Sequence, residues 1–358
     1  MAEDDAWLNR GRIPSLDGLR AVAIAMVLLE HARHTAGFPN LGKFDWFATH
    51  GLLGVEVFFA ISGFLITTLL LRELDRTGGI NLGGFYLRRF LRIVPAYACL
   101  LAAAAWLQHR GLIALTRGDW TGALTYTMNF QPHPSWELGH LWSLSIEEQF
   151  YLLWPPMLAL APRRRRPLLP LAAMALALTS RCLLAWVFQS HSAGIRGWTP
   201  CRLDAIAAGC LLAMLAFDPA TRTTLNRYVG GKLTGLGLLL ALAASVELRR
   251  HWGFWDVIAA YSFNALCIAG LLWWAASHGD SVVGRLLNSS PIRLVGTLSY
   301  SLYLWQQIFL SSCHAYAWTV FPLNLLLAFC VAGVSYYVIE TPFLKFKDRL
   351  GARRHGSV

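Results

Sequence analysis

Charge is scarce in this sequence. Only 14% of the 358 residues are Asp, Glu, Lys or Arg, against roughly 25% in soluble globular domains, which excludes an ordinary water-soluble enzyme. Acidic residues are scarcest, 20 against 31 Lys and Arg, giving a formal net charge of +11. Paired cysteines are missing: Cys99, Cys182, Cys201, Cys210, Cys267, Cys313 and Cys330 stand apart with no C-x-x-C. That excludes a disulfide framework or a zinc knuckle and leaves the thiols as small core hydrophobes within apolar runs. No period of 20–50 residues recurs, which excludes a solenoid or propeller. His133 and His140 have no partners at ligand spacing, so no metal is expected. A basic leader with a clean apolar stretch is also lacking. Glu3, Asp4 and Asp5 open the chain, and Arg20, Glu30 and His31 interrupt the first apolar run. The first helix is therefore expected to be retained rather than cleaved.

What is abundant is apolar surface, 56% of the residues. Runs of transmembrane length, about 20 residues, predict an all-α integral membrane protein of about ten spans. They lie near 16–36, 52–72, 86–107, 141–161, 168–188, 203–217, 233–247, 257–276, 297–318 and 321–341. Little chain remains for a second soluble domain, so residues 1–358 are expected to form a single membrane domain. The basic residues alternate sides. Odd-to-even connections hold eight: Arg33, Lys43, Arg110, Arg117, Arg196, Arg202, Arg249 and Arg250. The N-terminus, the even-to-odd connections and the tail hold twenty-one, including Arg10, Arg12, Arg72, Arg76, Arg88, Arg89, Arg92 and the run Arg163 to Arg166. Arg20 and Arg181 fall within spans. The positive-inside rule then places both termini in the cytoplasm, and the basic excess needs no nucleic acid to explain it.

An ionisable group near the bilayer centre costs about 2.5–3.5 kcal/mol on the insertion scale, so it usually faces inward and serves function. Arg20 and His31 are eleven residues apart on the first span. Eleven steps of 100° leave a remainder of about 20°, and the rise is about 16 Å, so the two share a face at opposite depths. Imidazole can take and return a proton near neutral pH; the plainer reading is an arginine reaching for lipid phosphate and a histidine at the outer interface. The segment GVEVFFAISGFLI embeds Glu56 and offers Ser62 and Gly63 for close helix approach. Glu56 is a candidate to orient a base or bind an acceptor hydroxyl, or is an interfacial carboxylate.

FYLRRFLRIVP clusters Arg88, Arg89 and Arg92 at the cytoplasmic end of a span. Guanidinium forks suit phosphate oxygens, whether of a phosphorylated donor or of lipid. In GHLWSLSIEEQFYLLWP, Ser143, Glu147 and Tyr151 follow at i, i+4 and i+8 and share one face, while Glu148 diverges from Glu147 by 100°. TPCRLDAIAAG sets Arg202 beside Asp204, and a local ion pair between them is the expectation. Tyr303 and Glu340 lie at helix ends, where packing or capping is the expectation. The longest connection, 108–140, holds Trp120, Tyr126, Asn129, Gln131, Trp136 and Glu137. Aromatic rings among amides and a carboxylate suit a polyhydroxylated acceptor, and equally an interfacial aromatic belt.

In order along nearly the whole chain, LDGLR followed ten residues later by His31, GVEVFFAISGFLI, RRFLRIVP, LWSLSIEEQFYLLWP, RLDAIAAG, GTLSYSLYLW and IETP resemble acyltransferase family 3. The resemblance implies a ten-helix core that moves acyl groups, often acetyl, from coenzyme A thioesters to hydroxyls of sugars, lipids or natural products. It matches Arg20 and His31 to a signature pair, Arg89 and Arg92 to a basic R-x-x-R, and Ser143 and Glu147 to a serine-glutamate helix. One departure follows SLYLW, where the family often has histidine and this chain has Gln306 and Gln307; no role is carried onto that position. No hydrolase-like domain follows the last span, so the membrane core is expected to complete transfer itself.

Residues and resemblance together predict a membrane acyltransferase in a bacterial inner (plasma) membrane, acting in O-acetylation such as polysaccharide modification. Acyl-CoA (acetyl-CoA) serves as co-substrate, with no permanently bound cofactor. Its phosphates meet Arg88, Arg89 and Arg92 on the cytoplasmic side, and its arm enters past Arg20. His31 acts as general base on a hydroxyl of a carbohydrate, lipid-linked sugar, glycolipid or natural product, or forms an acyl-histidine. Glu147 or Glu56 orients it, with Ser143, Tyr151, Arg202 and Asp204 in acceptor or supporting places. The rival is a proton-coupled secondary transporter using the same buried Arg, His and Glu groups. Its sign would be two broken helices in matching halves, and the sequence offers no such pair.

Overall fold

The computed structural model describes residue 13 and residues 15–42, 45–188, 197–313 and 316–346. The acidic Glu3 to Asp5, the basic Arg10, Arg12, Lys43 and Arg196, the Arg250 side chain and the tail from Lys347 onward lie outside the described residues. Among the described residues all regular structure is helical. The main elements are α1 (Leu16–Ala32), α2 (Gly51–Thr77), α3 (Leu82–His109), α4 (Arg117–Leu124), α5 (Leu141–Leu160), α6 (Leu168–Phe188) and α7 (Thr199–Phe217). They continue with α8 (Pro219–Val229), α9 (Thr234–His251), α10 (Ala260–Ser277), α11 (Ser290–Phe309) and α12 (Leu323–Val334). Single π turns, Trp255–Ala259 and Ser335–Glu340, adjoin α10 and α12.

Among the described residues, six helical stretches are long and apolar enough to cross a membrane: Gly51–Thr77, Leu82–His109, Arg163–Val187, Thr199–Phe217, Trp255–Ser277 and Leu323–Phe346. A seventh crossing arises if Pro219–Val229 and Thr234–Arg249, bent by 74°, count as one. The chain is thus a polytopic helical membrane protein. The expected span 16–36 stops earlier, since α1 has 17 residues and ends at Ala32. The span expected at 297–318 starts earlier and ends at Phe309. Pro291 lies in its first turn, where a missing N–H costs nothing, and the polar Ser311 and Ser312 follow its end.

The chain forms two compact units. The first comprises Met1–Ala23, Leu52–Ile80 and Trp142–Thr297. In it the backbones of α2 and α7 touch: a Cβ on Gly63 would overlap the Ile206 carbonyl, and one on Gly209 would overlap that of Ala60. Small residues permit such approach where lipid supplies no hydrophobic drive between helices. Polar pairs fasten α5 onto α2, with Trp154 Nε1 donating to Thr67 Oγ1 at 2.9 Å and the Tyr151 and Ser62 hydroxyls bonded to each other.

The second unit comprises Ile24–Gly51, Asn81–Leu141 and Leu298–Val358. Here the connection 110–140 is held by specific bonds. A capping box joins Thr116 and Asp119 at the start of α4. The hydroxyls of Tyr97 and Tyr316 donate to the carbonyls of Ala123 and Leu112 at 2.7 and 3.1 Å. Tyr300 donates to Ile93 O at 2.9 Å, tying α11 to α3.

The cysteine expectation needs a correction. All seven are free, but only Cys201, Cys210 and Cys267 are buried, whereas Cys313 and Cys330 are exposed. Cys330 lies on α12, where a helix facing lipid exposes apolar residues outward, and Cys313 lies in the bend beyond α11, so burial does not follow from hydrophobicity here.

Candidate functional site

His31 occupies the last turn of α1, in the second unit. Its Nδ1 lies 2.6 Å from Oε1 of Gln306 on α11. With an amide carbonyl facing it, Nδ1 carries the proton and Nε2 is left with the lone pair, which is the tautomer a general base needs. The imidazole also meets Trp136 edge-to-face, ring centroids 5.2 Å apart, so the ring is held from two sides. Trp136 is itself anchored, its Nε1 donating to Gln307 O at 3.1 Å.

Gln307 holds a second histidine. Its Oε1 accepts the backbone N–H of His140 at 3.1 Å and lies 2.8 Å from His140 Nδ1. His140 Nε2 reaches Leu304 O at 3.0 Å, and Tyr303 donates to His140 O at 2.9 Å. The two consecutive glutamines, onto which the resemblance carried no role, therefore contact two histidines. The sequence signal was present, two adjacent amides in an apolar helix. It was unread because their partners lie 275 and 167 positions away. Gln306 is fully buried, and its Nε2 has no hydrogen-bond partner. An unsatisfied buried donor of this kind calls for an explanation.

In the same unit Arg88, Arg89 and Arg92 lie along the first turns of α3. Arg88 is exposed and the other two half-buried. Arg89 rests over the Phe85 ring, 5.8 Å from its centroid. Arg92 acts electrostatically on Glu340, which accepts a hydrogen bond from Ser301. Glu340 is thus a buried partner on a π turn rather than a helix cap. His34 is exposed. Much of the aromatic connection is committed internally: Trp120 Nε1 donates to Gln108 at 2.9 Å, and Tyr126 stacks on Tyr97 at 5.0 Å.

The first unit contains the remaining candidates. Arg20 pairs with Asp17 one turn away at 3.3 Å. Ser143 is buried, Glu147 half-buried, and Tyr151 buried against Ser62. The expected local pair of Arg202 with Asp204 does not form. Residues two apart on a helix diverge by about 200°, and each finds a partner on another helix. Arg202 Nη2 meets Glu56 Oε1 at 3.3 Å, and Asp204 Oδ2 meets Arg181 Nη1 at 2.8 Å. Arg181, fully buried, also donates to Cys201 O and to Ser262 Oγ, both at 2.6 Å. A third pair joins Arg249 to Asp256 at 2.6 Å. Arg181 was legible only as a cation within a span; its role in this network was not. Among the described residues no group of three or more His, Cys, Asp or Glu is arranged to hold a metal.

The family model described as an acyltransferase domain, acyltransferase family 3, matches residues 13–340. The O-acetyltransferase OatA of Staphylococcus aureus strain NCTC 8325 / PS 47 is 29% identical over 360 residues, covering 93% of this chain and 57% of that protein. A putative O-acetyltransferase of S. aureus strain COL is 31% identical over 365 residues, with the same coverage. The chain therefore spans little more than half the length of these relatives. No solved structure matches. Because the match runs over most of the chain, from residue 13 to residue 340, the chain belongs to acyltransferase family 3.

Proposed function

We propose that this chain is a membrane O-acetyltransferase that moves an acetyl group from acetyl-CoA to a hydroxyl of a carbohydrate or related acceptor, with His31 as the base. The observation that carries the reading is the His31–Gln306 contact of 2.6 Å, which leaves Nε2 of a fixed imidazole for the proton transfer. The relatives named as O-acetyltransferases support the choice of acyl group and acceptor atom.

The steps balance. His31 Nε2 takes the acceptor hydroxyl proton as its oxygen attacks the thioester carbonyl carbon. The tetrahedral intermediate collapses, the carbon–sulfur bond breaks, and the leaving thiolate takes the proton from His31. The products are the acetyl ester, free coenzyme A and the original imidazole. Arg88, Arg89 and Arg92 bind the donor's phosphates, charges remote from the reacting carbon. The Lys and Arg distribution supports a cytoplasmic place for this cluster and the opposite face for the C-terminal turn of α1 with His31.

Purified protein with radiolabelled acetyl-CoA and a hydroxylated acceptor tests the proposal. Label should move to the acceptor, and His31→Ala should reduce the rate by about 10²–10⁴-fold, the usual contribution of general-base catalysis. Substrate flux across a bilayer without thioester turnover would point to transport instead.

A further inference from the structure

We propose that Arg202 and Glu56, walled by Tyr261 and Trp142, form a binding site for a neutral, hydroxyl-bearing ligand of carbohydrate type. This site lies wholly in the first unit, and the choice of a ligand of the acceptor's chemical class rests on the function proposed above.

Alternation of helix direction gathers the residues. Glu56 lies in the second turn of α2, Trp142 at the start of α5, Arg202 in the first turns of α7, Arg249 at the end of α9 and Tyr261 at the start of α10. All occupy the helix ends that the Lys and Arg distribution assigns to the non-cytoplasmic side. The Arg202 guanidinium carbon stands 4.1 Å from the Tyr261 ring centroid and 5.8 Å from that of Trp142.

Both members of the central pair are almost fully buried, at 1% exposure each, yet neither is satisfied. Arg202 Nε and Nη1 and Glu56 Oε2 have no hydrogen-bond partner. Buried polar groups are nearly always paired, and a charged one left open is costly. The open positions combine donors with one carboxylate acceptor. Hydroxyl groups match this set, since each can accept from the guanidinium and donate to the carboxylate.

Charge selects among ligands. Three arginines face three carboxylates in three ion pairs, Arg181 with Asp204, Arg202 with Glu56 and Arg249 with Asp256. The cluster is balanced as it stands. A phosphate or carboxylate ligand would add an uncompensated negative charge against Glu56 in a weakly screened setting, whereas a neutral polyol adds none. Aromatic rings beside hydroxyl-bonding groups suit a ligand with both C–H and O–H surfaces.

Saturation-transfer NMR on the protein in nanodiscs tests the site with a matched pair of probes, methyl β-D-glucopyranoside and methyl β-D-glucuronopyranoside. The wild type should bind the neutral glycoside more tightly. Glu56→Gln leaves Arg202 uncompensated and should shift the ratio of the two affinities toward the anionic probe by about tenfold or more. Arg202→Lys keeps the charge but removes the open nitrogens, so it should weaken the neutral probe while sparing the acetyl-CoA KM. It serves as the second variant if Glu56→Gln does not fold. No preference for the neutral probe in the wild type, or an unchanged ratio in a folded Glu56→Gln, overturns the site. Transfer of label from radiolabelled acetyl-CoA to hydroxylated acceptors by the same preparations separates the two readings: binding with the predicted charge response but no acetyl transfer to any acceptor preserves the site and defeats the acetyltransferase proposal.

Discussion

Nδ1 of His31 is 2.6 Å from Oε1 of Gln306, although 275 positions separate them in the chain. The contact joins the last turn of α1 to α11 and fixes which imidazole nitrogen holds the proton. The carbonyl of the Gln306 amide orients the histidine.

Gln306→Leu keeps the volume but removes the acceptor. We expect kcat to fall by about 10²-fold, the lower end of general-base contributions, with little change in KM for either substrate. Gln306→Glu retains an oxygen facing Nδ1 and should recover much of the loss. Imidazole ¹⁵N shifts provide the check beyond activity: a single Nδ1–H tautomer in the wild type and a mixture in the leucine variant. An unmixed tautomer in that variant would remove Gln306 from the mechanism.

Arg89→Gln with Arg92→Gln should raise the acetyl-CoA KM more than it lowers kcat. Contacts to phosphates far from the thioester bind ground and transition states nearly alike. Dephospho-CoA thioesters should discriminate less between wild type and variant. An unchanged donor KM with poor membrane insertion would assign the two arginines to topology.

Asp119 governs a pH response of the 110–140 connection. Burial alone would raise its pKa, but bonds from the Ser135 hydroxyl and N–H and from the Thr116 N–H and hydroxyl outweigh it, holding the carboxyl below its ordinary range. A carboxyl depressed in the folded state contributes stability above its unfolded pKa and loses it as pH falls through the folded value. Limited proteolysis should therefore open this connection on acidification. Asp119→Asn should be more susceptible at neutral pH and lose most of the pH dependence.

Gly63→Ala and Gly209→Ala each place a methyl group against a backbone carbonyl. Each should destabilise the protein by about 1–3 kcal/mol, the common cost of overpacking. Together they should couple, because both lie at the single crossing of α2 and α7. Thermal unfolding in detergent measures this, and additive or negligible effects would show that the two backbones are not held so close.

The sequence by itself determined the class of molecule, because scarce charge and apolar runs of membrane length admit little else. It located most of the helices within a few residues, the exception being the span expected at 297–318, which is Ser290–Phe309, and it placed Ser143, Glu147 and Tyr151 on one face, since an α-helix repeats every 3.6 residues. It also marked Arg20, His31 and Glu56, because an ionisable group in a long apolar run is costly enough to stand out.

Only the tertiary structure decided the partners. Arg202 lies two residues from Asp204 yet pairs with Glu56, and Asp204 pairs with Arg181. Gln306 and Gln307 became positioning groups for two histidines because α11 packs where it does. Helical periodicity specifies the face on which a side chain lies, but not which distant helix will meet that face. That depends on backbone approach at places such as Gly63 and Gly209, and on satisfying buried polar groups in an environment that offers them no water.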